Sequence, residues 1–462
     1  MRSVKCILTI LLFISFAALY GQKETPPEGG TPKDLILPQP DAYSLDNGLN
    51  VTKVQFGGIP KVTIRLVIRV GNLNEQADEV WLSDLTADLL KEGTKKYSAE
   101  EIARKAASMG GELDINTGMD ETDIDGDVLS EFAPDLIALI SEVIQNPSFN
   151  DEAINRLKKD FIRRMSISKT RAQSVALEKF RNALYPDHPY GRIYPTEEMV
   201  NSYSNEKVNK FFNDNYGARR AHLYIVGIFD DDAVDEAVSQ YFSGWKEGPD
   251  IYYNIPEPVT KREIILSDRP DATQSTIYLG LPVCDPSNRD YIPLSITNTL
   301  LGGYFSSRIT ANIREDKGYT YSPNSSISSR YHDAYYVQTA DVSTDVTAEA
   351  LKEIFYEIDR LRKEPPTEEE LEGVQNYAAG IFVLRNGSKG SIINQLSYID
   401  LHGLSDDYLS SYVKKVYEVT PQDVTDMANK YIRDEDMTIV IVGDEKKVKD
   451  KLSSFSQPKV KG

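Results

Sequence analysis

Ser204-Asn-Glu-Lys-Val208 opens a helical run that reaches Tyr216, and the strand-like stretch Ala221-His-Leu-Tyr-Ile-Val-Gly227 follows it. Thr420-Pro-Gln-Asp-Val424 opens a second run that reaches Tyr431, followed by Met437-Thr-Ile-Val-Ile-Val-Gly443. Val208 and Val424 are as far apart as Gly227 and Gly443, so one helix–strand unit occurs twice in the same register. Ser204 and Thr420 are good N-cap residues, because their hydroxyls can accept from an early helical N–H, and Pro421 suits the first helical position. An acidic stretch and a short amphipathic helix follow each glycine, over 232–242 and 446–455.

Working outward, the beginnings of the two units also match. Val62-Thr-Ile-Arg-Leu-Val-Ile-Arg-Val70 alternates with the period of a strand, and Ser275-Thr-Ile-Tyr-Leu-Gly-Leu281 answers it. Each leads into a helical pattern ending in paired leucines, Leu89-Leu90 and Leu300-Leu301. Further helices are predicted over 99–110 and 151–168 in the first half, and over 347–363 and 367–384 in the second. The fold class expected is therefore α+β: two homologous domains, each a mostly antiparallel sheet packed with helices, facing each other across a cavity. The domains are placed at 41–246 and 262–456, joined by a linker over 247–261 that Gly248, Pro249, Pro256 and Pro258 punctuate.

The 462 residues carry a formal net charge of −19. That balance argues against nucleic acid as a partner, since phosphate binding is driven by Lys and Arg. Residues 1–21 have the parts of a secretory signal: Arg2 and Lys5, a short apolar core, then small residues. Residues 22–40, rich in Pro, Gly, Glu and Lys, read as a flexible tether. Export to the periplasm or the cell exterior is expected, with no transmembrane anchor in the mature chain. Cys284 is then its single cysteine, which makes no internal disulfide.

Tyr43-Ser-Leu-Asp-Asn-Gly-Leu49, Glu92-Gly-Thr94, Leu301-Gly-Gly-Tyr-Phe-Ser-Ser-Arg308 and Arg314-Glu-Asp-Lys-Gly-Tyr-Thr-Tyr321 occur in this order. Together they resemble the insulinase/pitrilysin-type zinc peptidases over nearly all of the chain after the tether. That resemblance implies an inverted zinc motif, His-x-x-Glu-His on a helix, with a distant Glu as third ligand. Two histidines at i and i+4 share a helix face and can hold one zinc, while the Glu activates its water. Counted back from Gly93-Thr94, the motif falls on Asp84-Leu-Thr-Ala-Asp88, so both histidine positions are Asp and the general-base position is Ala87. The distant ligand falls near Arg164, and a guanidinium cannot ligate a metal. No catalytic and no metal-binding residue is expected in this chain. Asp84 and Asp88 share a helix face with Lys91; a solvated polar stripe accounts for them without a metal, and a carboxylate site is the alternative.

The resemblance implies a different role for the second half. In the family, an Arg and a Tyr at the spacing of Arg314 and Tyr321 bind the substrate backbone across the cavity from the zinc. The alternatives are a surface ion pair of Arg314 with Glu315 or Asp316, and a core position for Tyr321. Gly302-Gly303 reads either as a mobile lip or as a helix-ending turn. In two-subunit members, one polypeptide carries zinc and its partner contributes the Arg and Tyr. The chain is accordingly expected to be the non-catalytic, substrate-binding subunit of an exported heteromeric zinc metalloendopeptidase. It would be inert alone, with zinc in a paralogous partner and peptides or unfolded segments as substrates. The alternatives are a peptidase-derived scaffold or peptide-binding protein with no proteolytic partner, and a hydrolase using other residues. Against the last, no Gly-x-Ser-x-Gly elbow is present and Cys284 has no histidine near it in sequence.

Overall fold

The structure, a computed structural model, describes residues 39–452 and Phe455. The signal segment and nearly all of the tether lie outside the described residues. The first sheet has six strands: β1 (Asp41–Ser44), β2 (Asn50–Gln55), β3 (Lys61–Ile68), β4 (Leu113–Thr117), β5 (Thr122–Leu129) and β6 (Ala221–Gly227). Their order across the sheet is β1-β2-β6-β3-β5-β4. The second sheet has five: β7 (Glu263–Asp268), β8 (Gln274–Val283), β9 (Asn324–Arg330), β10 (Asp333–Ser343) and β11 (Thr438–Gly443). Their order is β7-β11-β8-β10-β9.

Strand for strand, the second sheet repeats the first without β1. In each, one pair is parallel, β2 with β6 and β7 with β11, and every other pair is antiparallel. The repeated helix–strand unit behaves as the capping residues require. The side chain of Ser204 accepts from the N–H of Lys207, and that of Thr420 accepts from the N–H of Asp423. Helices Asn205–Asn215 and Pro421–Tyr431 then deliver β6 and β11 to equivalent places.

β6 and β11 read as continuous apolar runs because both faces of each are covered. On one face Leu223 and Ile225, and likewise Ile439 and Ile441, join the main core of their own half. The other face is covered by a helix from the opposite half. Helix Ala172–Leu184 sets Ala176, Phe180 and Leu184 against Val440 and Val442 of β11 and Tyr335 and Val337 of β10. Helix Lys389–His402 sets Ile392 and Ile393 against Tyr224 and Val226 of β6 and Val67 of β3. The two halves are thus interlocked by an exchange of helices, with an ionic seam beside it. Asp400 pairs with Arg69 at 2.9 Å, and Tyr185 hydrogen-bonds Asp333. Between the halves remains a cavity of about 120 Å³ lined by Arg69, Asp120, His222, Tyr253, Tyr331 and Asp400. That is room for a few waters rather than a peptide. Among the described residues, no helix is long and apolar enough to cross a membrane.

Candidate functional site

Helix Leu82–Leu90 buries Leu82, Leu85, Leu89 and Leu90 in the first core. The residue before it, Trp81, has φ 69°, in the left-handed region that a bulky side chain avoids. The indole holds it there: Nε1 donates to the Ile193 carbonyl at 3.0 Å, and the ring meets Phe161 and Tyr194 edge-on. This entry turns Asp84, Ala87 and Asp88 toward helix Asp151–Lys169 and the Asn72–Glu75 turn.

Each of those three positions is occupied by chemistry of its own. Asp84 accepts a hydrogen bond from Asn72 Nδ2 at 2.7 Å, and Asn72 also donates to Glu75 at 3.1 Å. Burial pushes the Asp84 carboxyl above its ordinary range. It pushes fully buried Glu75 well above, with the charge of Asp84 adding to the effect. The polar-stripe expectation is therefore corrected for Asp84, which is largely enclosed by a network that sequence reading missed. Asn72 and Glu75 carry no motif, and only the fold brings them to the helix. Ala87 is buried and presents only a methyl group.

Asp88 pairs with Lys91 at 3.3 Å and with Arg164 at 3.1 Å. Arg164 lies 4.4 Å over the Phe161 ring, which fixes its direction. Arg164, near which the resemblance places the distant ligand, does reach this helix. It arrives as a cation and neutralises Asp88 directly. These residues do not fit a zinc ion: one carboxyl is spoken for by Asn72, the other by a guanidinium, and nothing stands ready to activate water. Among the described residues no group of three His, Cys, Asp or Glu side chains is placed to hold a metal.

In the second half, helix Tyr291–Asn298 widens into a π turn over Thr299–Gly303. A Cβ on Gly302 would stand 2.6 Å from both Gln338 Oε1 and Ser325 Oγ, and one on Gly303 2.9 Å from Asn298 Nδ2. The glycines are there for close packing, so the segment is a helix-ending turn seated on the sheet and not a lip. The turn sends Tyr304 against Tyr377, ring centroids 5.3 Å apart, and leaves Phe305 facing outward. A second π turn, Ala311–Asp316, carries Arg314; such turns recur at functional sites. Gly318, at φ 65°, then reverses the chain so that Tyr321 returns beside Arg314.

The structure brings Arg314 and Tyr321 together. The guanidinium carbon lies 5.3 Å from the Tyr321 ring centroid and 4.4 Å from that of Phe305. Tyr321 is 82% exposed and Phe305 66% exposed, so the alternative that Tyr321 is a core residue is overturned. The alternative pairing with Glu315 is present, through Nε at 3.2 Å. It leaves the outer guanidinium nitrogens to donate elsewhere. Phe305 belongs to the stretch Gly302-Gly303-Tyr304-Phe305 that was read as a lip or a turn, and its place beside Arg314 emerges only from the fold. Two rings held open to solvent around an arginine form a donor and stacking surface for a peptide carbonyl and its neighbours.

Cys284 offers no rival chemistry. Burial pushes its thiol up to about 11, the opposite of an activated nucleophile.

The fold and these positions define a peptidase architecture whose metal place is closed by side chains. Residues 57–195 match the family model described as Insulinase (Peptidase family M16), and residues 202–377 match Peptidase M16 inactive domain. The chain belongs to this family, the insulinase or M16 peptidases. Similar relatives include an uncharacterized zinc protease of Rickettsia bellii, 26% identical, covering 70% of this chain and 79% of that protein. Another is the non-peptidase homolog YmxG of Helicobacter pylori, 22% identical, covering 85% and 91%. The fold is shared with the M16 inactive domain structure from Pseudomonas fluorescens, with a TM-score of 0.81 at 22% identity, covering 88% of this chain and 98% of that one. It is also shared with the periplasmic protease PqqL of Escherichia coli, with a TM-score of 0.77 at 14% identity over 91% and 47%.

Proposed function

We propose that this chain is the non-catalytic, substrate-binding subunit of an exported heteromeric zinc metalloendopeptidase. The observation that carries this reading is the pairing of opposites in one molecule. The metal place is filled by the Asp88–Arg164 ion pair beside Ala87, whereas Arg314 stands between two exposed rings with donors to spare. The zinc and the water-activating Glu would come from a paralogous partner. Arg314 and the Tyr321 hydroxyl would donate to the substrate carbonyl and to the oxyanion that forms on it. Extended peptides or unfolded segments are the substrates this surface suits, because a folded domain presents no free backbone to it. The non-peptidase homolog among the relatives supports loss of autonomous hydrolysis.

Affinity capture of the tagged chain from its own cells, followed by mass spectrometry, tests the partner. The expected result is a relative bearing His-x-x-Glu-His, and co-expression of the two should cleave extended peptides that neither cuts alone. Recovery of unrelated proteins only, with no gain of hydrolysis on mixing, would favour the scaffold alternative.

A further inference from the structure

The two sheets end differently on the side of their parallel pair. In the first, β1 lies outside β2 and pairs with it antiparallel, from Asp41↔Lys53 to Ser44↔Asn50. In the second, β7 takes the place of β2, and among the described residues no strand lies beyond it. Aligned through Gly227 and Gly443, Ile264 and Leu266 stand where Val51 and Lys53 stand. The repeated fold thus has room for one more strand, and the second half leaves that edge open.

Backbone and side chains both show the open edge. Arg269 donates its N–H to the Gly443 carbonyl at 2.7 Å, so the odd-numbered residues of β7 face β11. The N–H and C=O of Ile264 and Leu266 then point away from the sheet, and among the described residues they meet no hydrogen-bond partner. Val51, Thr52, Lys53 and Val54 are buried, whereas Ile264, Ile265, Leu266 and Ser267 are only partly so. Natural sheets blunt an edge with a short strand, charges, Pro or a bulge. The edge strand β1 is short and polar, with Asp41 exposed. By contrast β7 carries Ile264, Ile265 and Leu266 in a row, with neither Pro nor bulge.

The edge is complementary to itself. An antiparallel neighbour must set outward-facing residues opposite outward-facing ones. A second β7 centred on Ile265 does so: Ile264 of each copy meets Leu266 of the other, and Ile265 meets its own counterpart. Arg262 of each copy then comes opposite Asp268 of the other, and Glu263 lies diagonal to Arg269, so unlike charges meet at the strand ends. The two-fold axis makes each of these contacts twice. A substrate held at Arg314 does not reach this place. The order of the sheet sets β7 four strand spacings, about 19 Å, from β9, which begins just after Tyr321 at the opposite edge.

We propose that a second copy of this chain covers β7 in antiparallel pairing, so that the second-half sheets of two molecules run on as one. Each copy supplies to the other what β1 supplies to the first half. The contact is separate from Arg314 and stands whether or not the chain has a proteolytic partner.

Sedimentation velocity of the purified full chain over a range of concentrations tests it, and a reversible dimer is expected. Ile264→Pro removes an outward N–H while sparing the ladder to β11. By symmetry two bonds are lost, and the dimer should weaken about thirtyfold. Cysteine pairing reads the register even should that variant fail to fold. With Cys6 and Cys284 replaced by Ser, Ile265→Cys should give a disulfide-linked dimer on mild oxidation, because opposed residues without hydrogen bonds between them have Cα atoms about 4.5 Å apart. Glu263→Cys and Ser267→Cys should link to each other when mixed, and neither to itself. A chain that is monomeric at every concentration, or a dimer that Ile265→Cys does not link, overturns the proposal. So does a dimer that forms only after residues 456–462 are removed, which gives the edge to the chain's own tail. Pairing sensitive to Ile264→Pro with a paralogue alone overturns it too, and gives the edge to that partner.

Discussion

The place to which the family resemblance assigns zinc and the place to which it assigns substrate are built differently in this chain. Around helix Leu82–Leu90 every polar group has a partner from the same molecule: Asn72 for Asp84, Arg164 and Lys91 for Asp88. Around Arg314 the side chains face outward, with two large rings exposed. Loss of a metal leaves carboxylates that repel one another or sit unpaired, so local repair by a guanidinium is the economical outcome. An exposed aromatic pair has no such internal reason to persist. The difference teaches that the molecule is settled at one site and unfinished at the other, as a subunit awaiting a partner would be.

Breaking the helix exchange that locks the halves together should have the largest effect. Phe180→Ala removes a fully buried ring from the back of β11 and should cost about 3–5 kcal/mol. Ile392→Ala, on the reciprocal helix, should cost about 2–5 kcal/mol. Urea denaturation reads both. If either variant melted one half alone, leaving a two-step transition in place of a single shared loss, the interlock would be weaker than the packing indicates.

A second test uses pH. His402, at the end of the exchanged helix, is buried, its Nδ1 has no partner, and burial lowers its pKa to about 4. The unfolded chain takes up that proton near 6.5, so the contribution is complete above pH 6.5 and is lost as pH falls toward 4. The loss should reach up to about 3 kcal/mol, and His402→Phe should flatten the stability profile in that window. A profile unchanged by the substitution would show that the helix end is not buried in solution.

The smallest effect sharpens the contrast between the two sites. Arg164→Ala breaks an ion pair that is half in solvent and should cost less than about 1 kcal/mol. Equilibrium dialysis of that variant should still show no stoichiometric zinc, manganese or magnesium. Binding that appears on removing Arg164 would mean that the arginine alone had closed a competent carboxylate site.

Much of this was legible in the chain because duplication leaves a register. The capped helix and apolar strand ending each half located β6 and β11. What periodicity does not carry is which sheet a helix covers. The helices of Phe180 and Ile392 are not among those predicted from periodicity, the second having almost no amphipathic bias, and only the topology sends each to the opposite half. At the sites, spacing located Asp84, Asp88, Arg164, Arg314 and Tyr321. Asn72 and Glu75 escaped because a single polar residue in a turn has no pattern until the fold encloses it. Gly302 and Gly303 left two readings open, which the crowding around their absent Cβ atoms decides for the turn.

The central claim is that Arg314 serves catalysis performed by another chain. The direct measurement is kcat/KM of the reconstituted pair on an extended peptide, comparing native chain with Arg314→Ala, together with the Tm of each. The account predicts a loss of about a hundredfold or more, as for removal of an oxyanion donor, with Tm shifted by no more than a few degrees because Arg314 is partly exposed and its one ion pair is with exposed Glu315. An unchanged rate in the Arg314→Ala pair would contradict it.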